Sequence, residues 1–232
     1  MYVGYNNFNI SYNLCKSLSK IHLNKKYYQP LIIFFSSSEV YGNTINASVR
    51  NNTYELFTKS ERSSYALSKL LEENLYNDLR KMYYNIKILR LFNIVGELQS
   101  TNFVIPKMLY DIMSGNVVKI TPTYRCFCHI DFLTSSLEKL IYCQIKYKKN
   151  RYPDITNFTS FRRENYISML DLYKICSEVT KKESKCNIVQ VKPDDIIYRK
   201  SELPEIAPKY LNMTKDISIK EIVRRIHAFK KV

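Results

Sequence analysis

Short, almost wholly apolar runs alternate along this chain with longer stretches in which apolar residues recur every third or fourth position. Ile10, Leu14, Leu18 and Ile21 carry that helical spacing and predict a helix over residues 8–23. Pro30-Leu31-Ile32-Ile33-Phe34-Phe35 is continuous apolar sequence closed by three serines, the pattern of a strand covered on both faces. Residues 43–60 are polar and irregular. From 64 to 82 the apolar stripe returns through Leu67, Leu70, Leu71, Leu75 and Leu79, predicting a second helix. A second buried strand is expected over 86–92, ending at Asn93 and Gly96. Helix, strand, helix, strand in this order predicts a parallel sheet.

Beyond Phe103 the elements become shorter. Residues 104–114 read as a helix, and 117–120 and 125–130 as short strands. A helix is expected over 131–146, with Asp131 or Thr134 as its cap. One more strand is expected over 155–158, then a helix over 169–181 capped by Ser168, then a strand near 188–191. Ser218 followed by Glu221 is a capping-box pattern that opens a final helix. There is no internal repeat and no low-complexity linker.

With 232 residues the chain can bury one substantial core or two coupled ones. No run of about 18 apolar residues is present, so no membrane span is expected. The first residues have neither a basic nor an apolar signal region, which sets the expectation of a cytoplasmic protein. The six cysteines, at 15, 126, 128, 143, 176 and 186, include no C-x-x-C pair, so the expectation is free thiols and no metal. Cys126 and Cys128 flank Phe127, the spacing of two residues on one face of a strand. A formal charge of +15 raises the question of nucleic acid. The lysines are scattered rather than striped and no recognition module is visible, so nucleic acid is not the expected partner.

Tyr65 and Lys69 are four residues apart and share one face if their segment is helical. Some thirty residues earlier stands a hydroxyl-rich strand end, Ser36-Ser37-Ser38-Glu39-Val40-Tyr41-Gly42. The combination can build a tyrosine base, a lysine that lowers its pKa and a serine that holds a substrate oxygen. Taken alone, a tyrosine and lysine at this spacing are also an ordinary exposed helical pair. Taken by itself, Glu39 reads as a strand-end surface residue.

The order of these motifs resembles the extended short-chain dehydrogenase/reductases, the NAD-dependent sugar-nucleotide epimerase/dehydratase family. Ser36 to Gly42 is similar to that family's serine/threonine strand end, and Ser63 to Lys69 to its Y-x-x-x-K helix. Leu89-Arg90-Leu91-Phe92-Asn93-Ile94-Val95-Gly96 resembles the next strand and substrate loop. Arg125 to Asp131 resembles its R-x-F-x-x-V-D segment. The resemblance implies an α/β fold: a partial Rossmann-like parallel sheet lacking its first strands, with a small α+β substrate-binding C-terminal region. The expected division is 1–98 for the remaining half of the nucleotide-binding domain and 99–232 for the substrate-binding region, with about 125–158 returning to the core.

The same resemblance implies catalytic roles for Tyr65, Lys69, Ser37 and Glu39, with Tyr65 and Lys69 also contacting NAD. It implies that Ser38, Asn93, Arg125 and Arg199 contact a nucleotide-sugar substrate, in cell-envelope polysaccharide synthesis. A free tyrosine has a pKa of about 10, so a tyrosinate working near neutral pH needs roughly 4 kcal/mol of favourable charge. His129 is expected to be structural. The departures are equally informative. Members of the family carry a G-x-x-G-x-x-G turn at the dinucleotide pyrophosphate. Here the four glycines stand at 4, 42, 96 and 115 and form no such cluster. The resemblance therefore implies a chain whose cofactor half is missing or supplied by a partner. It implies a homodimer as an alternative pairing, and an inactive remnant or a sugar-nucleotide-binding module as the alternative function. Losing the first strands is also expected to leave the 30–35 strand with exposed apolar surface or a partner covering it.

Overall fold

The structure is a computed structural model that describes residues 2–22, 30–42, 46–47, 63–82, 85–147, 153–191, 200–201 and 213–229. Arg199 and most of the irregular 43–60 segment lie outside the described residues. The elements run α1 (Tyr2–His22), β1 (Leu31–Ser37), β2 (Asn46–Ala47), α2 (Ser63–Lys81), β3 (Asn85–Leu91) and β4 (Asn93–Val95). There follow α3 (Val104–Met113), β5 (Val118–Ile120), β6 (Tyr124–His129), α4 (Ile130–Tyr147), β7 (Ile155–Phe158) and β8 (Tyr166–Ser168). The last are α5 (Met169–Thr180), β9 (Cys186–Ile188), β10 (Lys200–Ser201) and α6 (Ile219–Phe229). The chain divides into two compact units, one of residues 1–91, 138–158 and 201–207, the other of residues 92–137, 159–200 and 208–232.

The first unit is built on a three-stranded sheet in the order β1-β3-β7. β1 and β3 run parallel in unbroken register from Leu31 opposite Asn85 to Ser37 opposite Leu91. β7 continues the sheet in parallel, with Ile88 opposite Ile155 and Leu91 opposite Phe158. This is the parallel α/β arrangement that the alternating pattern predicts. Strand β3 lies in the middle and is buried from Ile86 to Arg90, as a parallel strand flanked on both edges requires. β1 has one strand neighbour among the described residues, and its Phe35 is 43% exposed.

Helix α1 packs on α2, and Phe34, Tyr76, Leu79, Ile86 and Ile88 form the core beneath them with Cys15. The two helices approach closely at Gly4, where a Cβ atom would stand 2.8 Å from the Ser64 carbonyl oxygen. Only a residue without a side chain permits that contact.

Two cations are buried in the central strand. Lys87 is fully enclosed, and its Nζ donates to Asp154 Oδ1 at 3.0 Å. Arg90 is 1% exposed and donates twice to Glu73 of α2, from Nε to Oε1 at 2.9 Å and from Nη2 to Oε2 at 2.6 Å. Ser36 Oγ donates to the same carboxylate at 2.5 Å. Arg90 Nη1 donates to the Tyr41 hydroxyl at 3.0 Å, and that hydroxyl donates to Asn157 Oδ1 at 2.7 Å. One network therefore joins the ends of β1, β3 and β7 to α2. Burial opposes the Arg90 charge, but the Glu73 carboxylate against it holds the guanidinium above the ordinary arginine range.

In the second unit, β4 and β6 are parallel and β8 joins β6 antiparallel, while β5 and β9 form a separate parallel pair. Its core gathers Ile105, Leu109 and Ile112 of α3, Leu172 and Cys176 of α5, and Ile222, Val223 and Ile226 of α6. Ser168 caps α5 by accepting from Asp171 N at 3.0 Å, and Ser218 accepts from Glu221 N at 3.3 Å at the start of α6, both as predicted. The cap of α4 is a correction. Neither Asp131 nor Thr134 provides it; the His129 ring accepts from Asp131 N through Nδ1 at 3.2 Å, because the strand ends directly against the helix. His129 Nε2 lies 3.2 Å from Glu97 Oε2, and the ring is fully buried, a structural placement. All six cysteines are free. Burial pushes the Cys15 thiol to about 11 and the Cys176 thiol to about 12, the setting of packed side chains rather than of thiolate nucleophiles.

Two stability predictions follow from the buried cations. Arg90→Met leaves the buried Glu73 carboxylate without its cation, only Ser36 still donating to it, and is expected to cost about 3–5 kcal/mol. The double variant Arg90→Met with Glu73→Leu recovers most of that loss; urea denaturation of the single and double variants measures it. Burial lowers the pKa of Lys87 below the ordinary value of 10.5. The unfolded chain then holds this proton more tightly than the folded one, so stability rises with pH between the lowered value and 10.5. Lys87→Met removes that rise and is neutral or stabilising at neutral pH, since Asp154 keeps Arg80 at 3.2 Å. Denaturation midpoints across alkaline pH check the slope.

Candidate active site

The sequence at the end of β1 dictates the first half of the site. Ser36 and Ser37 close the strand, and residues Ser38–Tyr41 turn immediately into a single 3-10 turn. Ser37 is extended, with φ −136° and ψ 149°, and its Oγ accepts from Glu39 N at 3.2 Å. Gly42 ends the turn at φ 56°, a conformation that suits glycine, and donates its N–H to Glu39 O at 3.0 Å. Val40 and Tyr41 are buried, and the Tyr41 hydroxyl sits on Arg90 and Asn157. Burial raises the Tyr41 phenol above its ordinary value, so this tyrosine is a neutral member of the network.

Helix α2 supplies the second half. Tyr65, Lys69, Glu72 and Tyr76 recur at helical spacing along one face. The helix is held at its middle by Glu73 on Arg90 and Ser36, so the same carboxylate that neutralises the buried guanidinium also fixes the β1 end beside α2. The Ser37 hydroxyl, which accepts from Glu39 N, lies near enough to the Tyr65 phenol to favour its ionised form. Tyr65 is half-buried, and burial raises its pKa; the neighbouring Ser37 hydroxyl opposes that rise, while the Glu39 and Glu72 charges add to it.

Lys69 is mostly covered. Its ammonium donates to the Phe35 carbonyl at 3.3 Å and to Glu72 Oε2 at 3.4 Å, and it lies 4.8 Å from the centre of the Phe34 ring. Its hydrogen bonds in this arrangement go to the edge of β1 and to Glu72, not to the phenol that the sequence reading has it tune. The structure therefore brings Ser37, Tyr65, Glu39 and Lys69 into one neighbourhood, with the phenol protonated and the ammonium engaged elsewhere. Ser38 is buried in the turn behind them.

Asn93 and Arg125 belong to the second unit. Asn93 Nδ2 donates to Cys126 O at 2.9 Å, bridging neighbouring strands, since Asn93 stands opposite Phe127 across β4 and β6. Arg125 Nη1 donates to its neighbour's carbonyl, Tyr124 O, at 2.8 Å. The sequence reading missed Ser11, Glu72, Glu73, Arg90 and Asn157 as parts of the site's frame. One signal was available: two cations, Lys87 and Arg90, inside an otherwise apolar strand demand buried acidic partners.

Solved structures share this fold. A UDP-glucuronic acid 4-epimerase from Bacillus cereus, solved with UDP-glucuronic acid and NAD, superposes with a TM-score of 0.77 at 19% identity, over 97% of this chain and 67% of that one. A UDP-N-acetylglucosamine 4-epimerase from Methanobrevibacter ruminantium, in complex with UDP-N-acetylmuramic acid, matches at a TM-score of 0.63 and 21% identity, over 87% of this chain and 63% of that one. An NAD-dependent NDP-hexosamine 5,6-dehydratase of tunicamycin biosynthesis matches at 0.67 and 20% identity, over 87% of this chain and 63% of that one. The chain thus spans about two thirds of the length of these proteins. No curated protein sequence matches it. The sequence model of the NAD dependent epimerase/dehydratase family matches residues 1–131, more than half of the chain, and the chain belongs to that family.

Proposed function

We propose that this chain carries the proton-handling centre of an NAD-dependent epimerase or dehydratase acting on a nucleotide sugar, with Tyr65 as the base. The observation that carries the reading is the nearness of Tyr65 on α2 to the Ser37 hydroxyl at the end of β1, on a helical face that also bears Lys69. Family membership and the nucleotide-sugar ligands of the structural neighbours support the substrate class.

NAD supplies a hydride acceptor when bound. The fit to this chain is partial. Tyr65 and Lys69 provide the hydroxyl and ammonium suited to the nicotinamide ribose. Among the described residues no glycine cluster cradles the pyrophosphate: Gly4 lies inside α1 against Ser64, Gly42 ends the turn after β1, Gly96 follows β4, and Gly115 follows α3. The pyrophosphate-binding segment then belongs to polypeptide outside these residues, covalently joined or separate.

In this reading Ser37 holds the reacting sugar hydroxyl while Tyr65 takes its proton. The raised pKa keeps Tyr65 a phenol at neutral pH in the present arrangement. Work as a base requires positive charge at the phenol, and Lys69 is the cation on the same helical face. Glu39 stands beside the pair as a candidate acid or base for dehydration. By the resemblance Asn93 is a candidate contact to the sugar nucleotide, and Arg125, with Arg199, a candidate for gripping its diphosphate, a task that suits the forked donors of arginine.

The test combines calorimetry and turnover. NAD titrated into the chain alone is expected to bind weakly, and tight binding overturns the assignment of the missing cradle. When a nucleotide-binding segment with a G-x-x-G-x-x-G turn is added, NMR should detect conversion of a UDP-hexose or UDP-hexuronic acid. Tyr65→Phe should then reduce kcat by about 10²–10⁴-fold with substrate binding retained. Unchanged turnover in that variant removes Tyr65 as the base.

A further inference from the structure

Two adjacent carboxylates on α2 face the buried side, and they differ sharply in how they are satisfied. Glu73 is saturated by Arg90 and Ser36. Glu72 is 2% exposed, and its Oε2 accepts from Ser11 Oγ of α1 at 2.7 Å and from the Lys69 ammonium at 3.4 Å. Its Oε1 meets no donor among the described residues. A line of hydrogen bonds therefore runs from Ser11 of α1 through Glu72 to Lys69. A buried carboxylate with one oxygen unsatisfied is a poor structural anchor, because an apolar side chain would fill that place at lower cost. What Glu72 does accomplish is to draw Lys69 toward itself and the Phe35 carbonyl.

We propose that Glu72, clamped by Ser11, is the positioning residue of Lys69, and that it holds the ammonium off the Tyr65 phenol in the resting site. The inference rests on the reading of Tyr65 as the base. Among the described residues, the charged groups acting on the phenol are Glu39 from the turn after β1 and Glu72 from α2, while Glu72 and Cys15 of α1 act on Tyr76, one turn further along α2. Of these, Glu39 and Glu72 act on the phenol directly, and both favour its protonated form. Neutralising Glu72 removes one of the two and frees the ammonium, so both effects move the phenol in the same direction.

The test is a ¹⁹F NMR titration of the full chain made with fluorotyrosine, whose phenol ionises at lower pH than tyrosine. The Tyr65 resonance is assigned by its loss in Tyr65→Phe. Glu72→Gln is expected to shift the Tyr65 midpoint downward while the other tyrosines, Tyr76 excepted, keep theirs. Glu72→Asp, which retains the charge, should stay near the wild-type midpoint. Adding Lys69→Met to Glu72→Gln should reverse part of the downward shift. Glu72→Met carries the same expectation as the Gln variant, should that one fail to fold. An unmoved Tyr65 midpoint in a folded neutral variant overturns the proposal. So does unfolding of both neutral variants, because Glu72 would then be needed to join α1 to α2. The titration uses neither cofactor nor sugar. A midpoint shift without any turnover by the reconstituted protein therefore upholds the role of Glu72 and rejects the reaction, and turnover with an unmoved midpoint does the reverse.

Discussion

The buried pairing of Arg90 with Glu73 is the constraint on which the first unit depends. A guanidinium inside a parallel sheet is tolerable only if its donors are consumed, and here a carboxylate and a phenol consume them. The carboxylate comes from α2, the arginine from β3, the phenol from the turn after β1, and the last acceptor, Asn157, from β7. Satisfying one charge therefore fixes four segments at the same end of the sheet. That end is where Ser37 meets Tyr65. The geometry of the candidate site is a by-product of neutralising a cation that has no access to water.

The neighbouring carboxylate has the opposite character. Glu73 has a full complement of donors and belongs to the frame. Glu72 has an incomplete one and touches the single lysine of the site. A saturated carboxylate and an incompletely satisfied one thus occupy consecutive positions on one helix, and the rigid placement of Glu73 fixes where Glu72 starts. It also explains why the lysine rests against a strand carbonyl here. A mostly buried ammonium takes the acceptors nearest to it, and in this arrangement those are Phe35 O and Glu72.

Much of the fold was legible in the sequence because it depends on local patterns. The apolar run closed by three serines became β1, the run 86–92 became β3, and the caps at Ser168 and Ser218 formed where the spacing placed them. Helix α1 begins at Tyr2 rather than near residue 8, because its first turn is held by packing at Gly4 and carries no apolar period of its own. Strand β9 lies at Cys186–Ile188, ahead of the 188–191 expectation, where its position follows pairing with β5 rather than its own composition. At the site, the motif residues Ser37, Tyr65 and Lys69 were visible as spacing. Their real partners were not, since Ser11 with Glu72 and Arg90 with Tyr41 are meetings of distant segments that no local period encodes. The direction of the Tyr65 shift was hidden for the same reason: it depends on burial and on two carboxylates rather than on the lysine one turn away.

The tight crossing at Gly4 has a reach beyond its own contact. The Ser64 carbonyl that it touches immediately precedes Tyr65 in the chain. The depth at which the phenol sits is therefore gauged by a backbone-to-backbone touch on a different helix, some sixty residues upstream. A single methyl group at that crossing would act as a shim, lifting the start of α2 while Glu73 keeps its middle pinned. The Tyr65 phenol would then tilt relative to Ser37, with no residue of the candidate site itself altered.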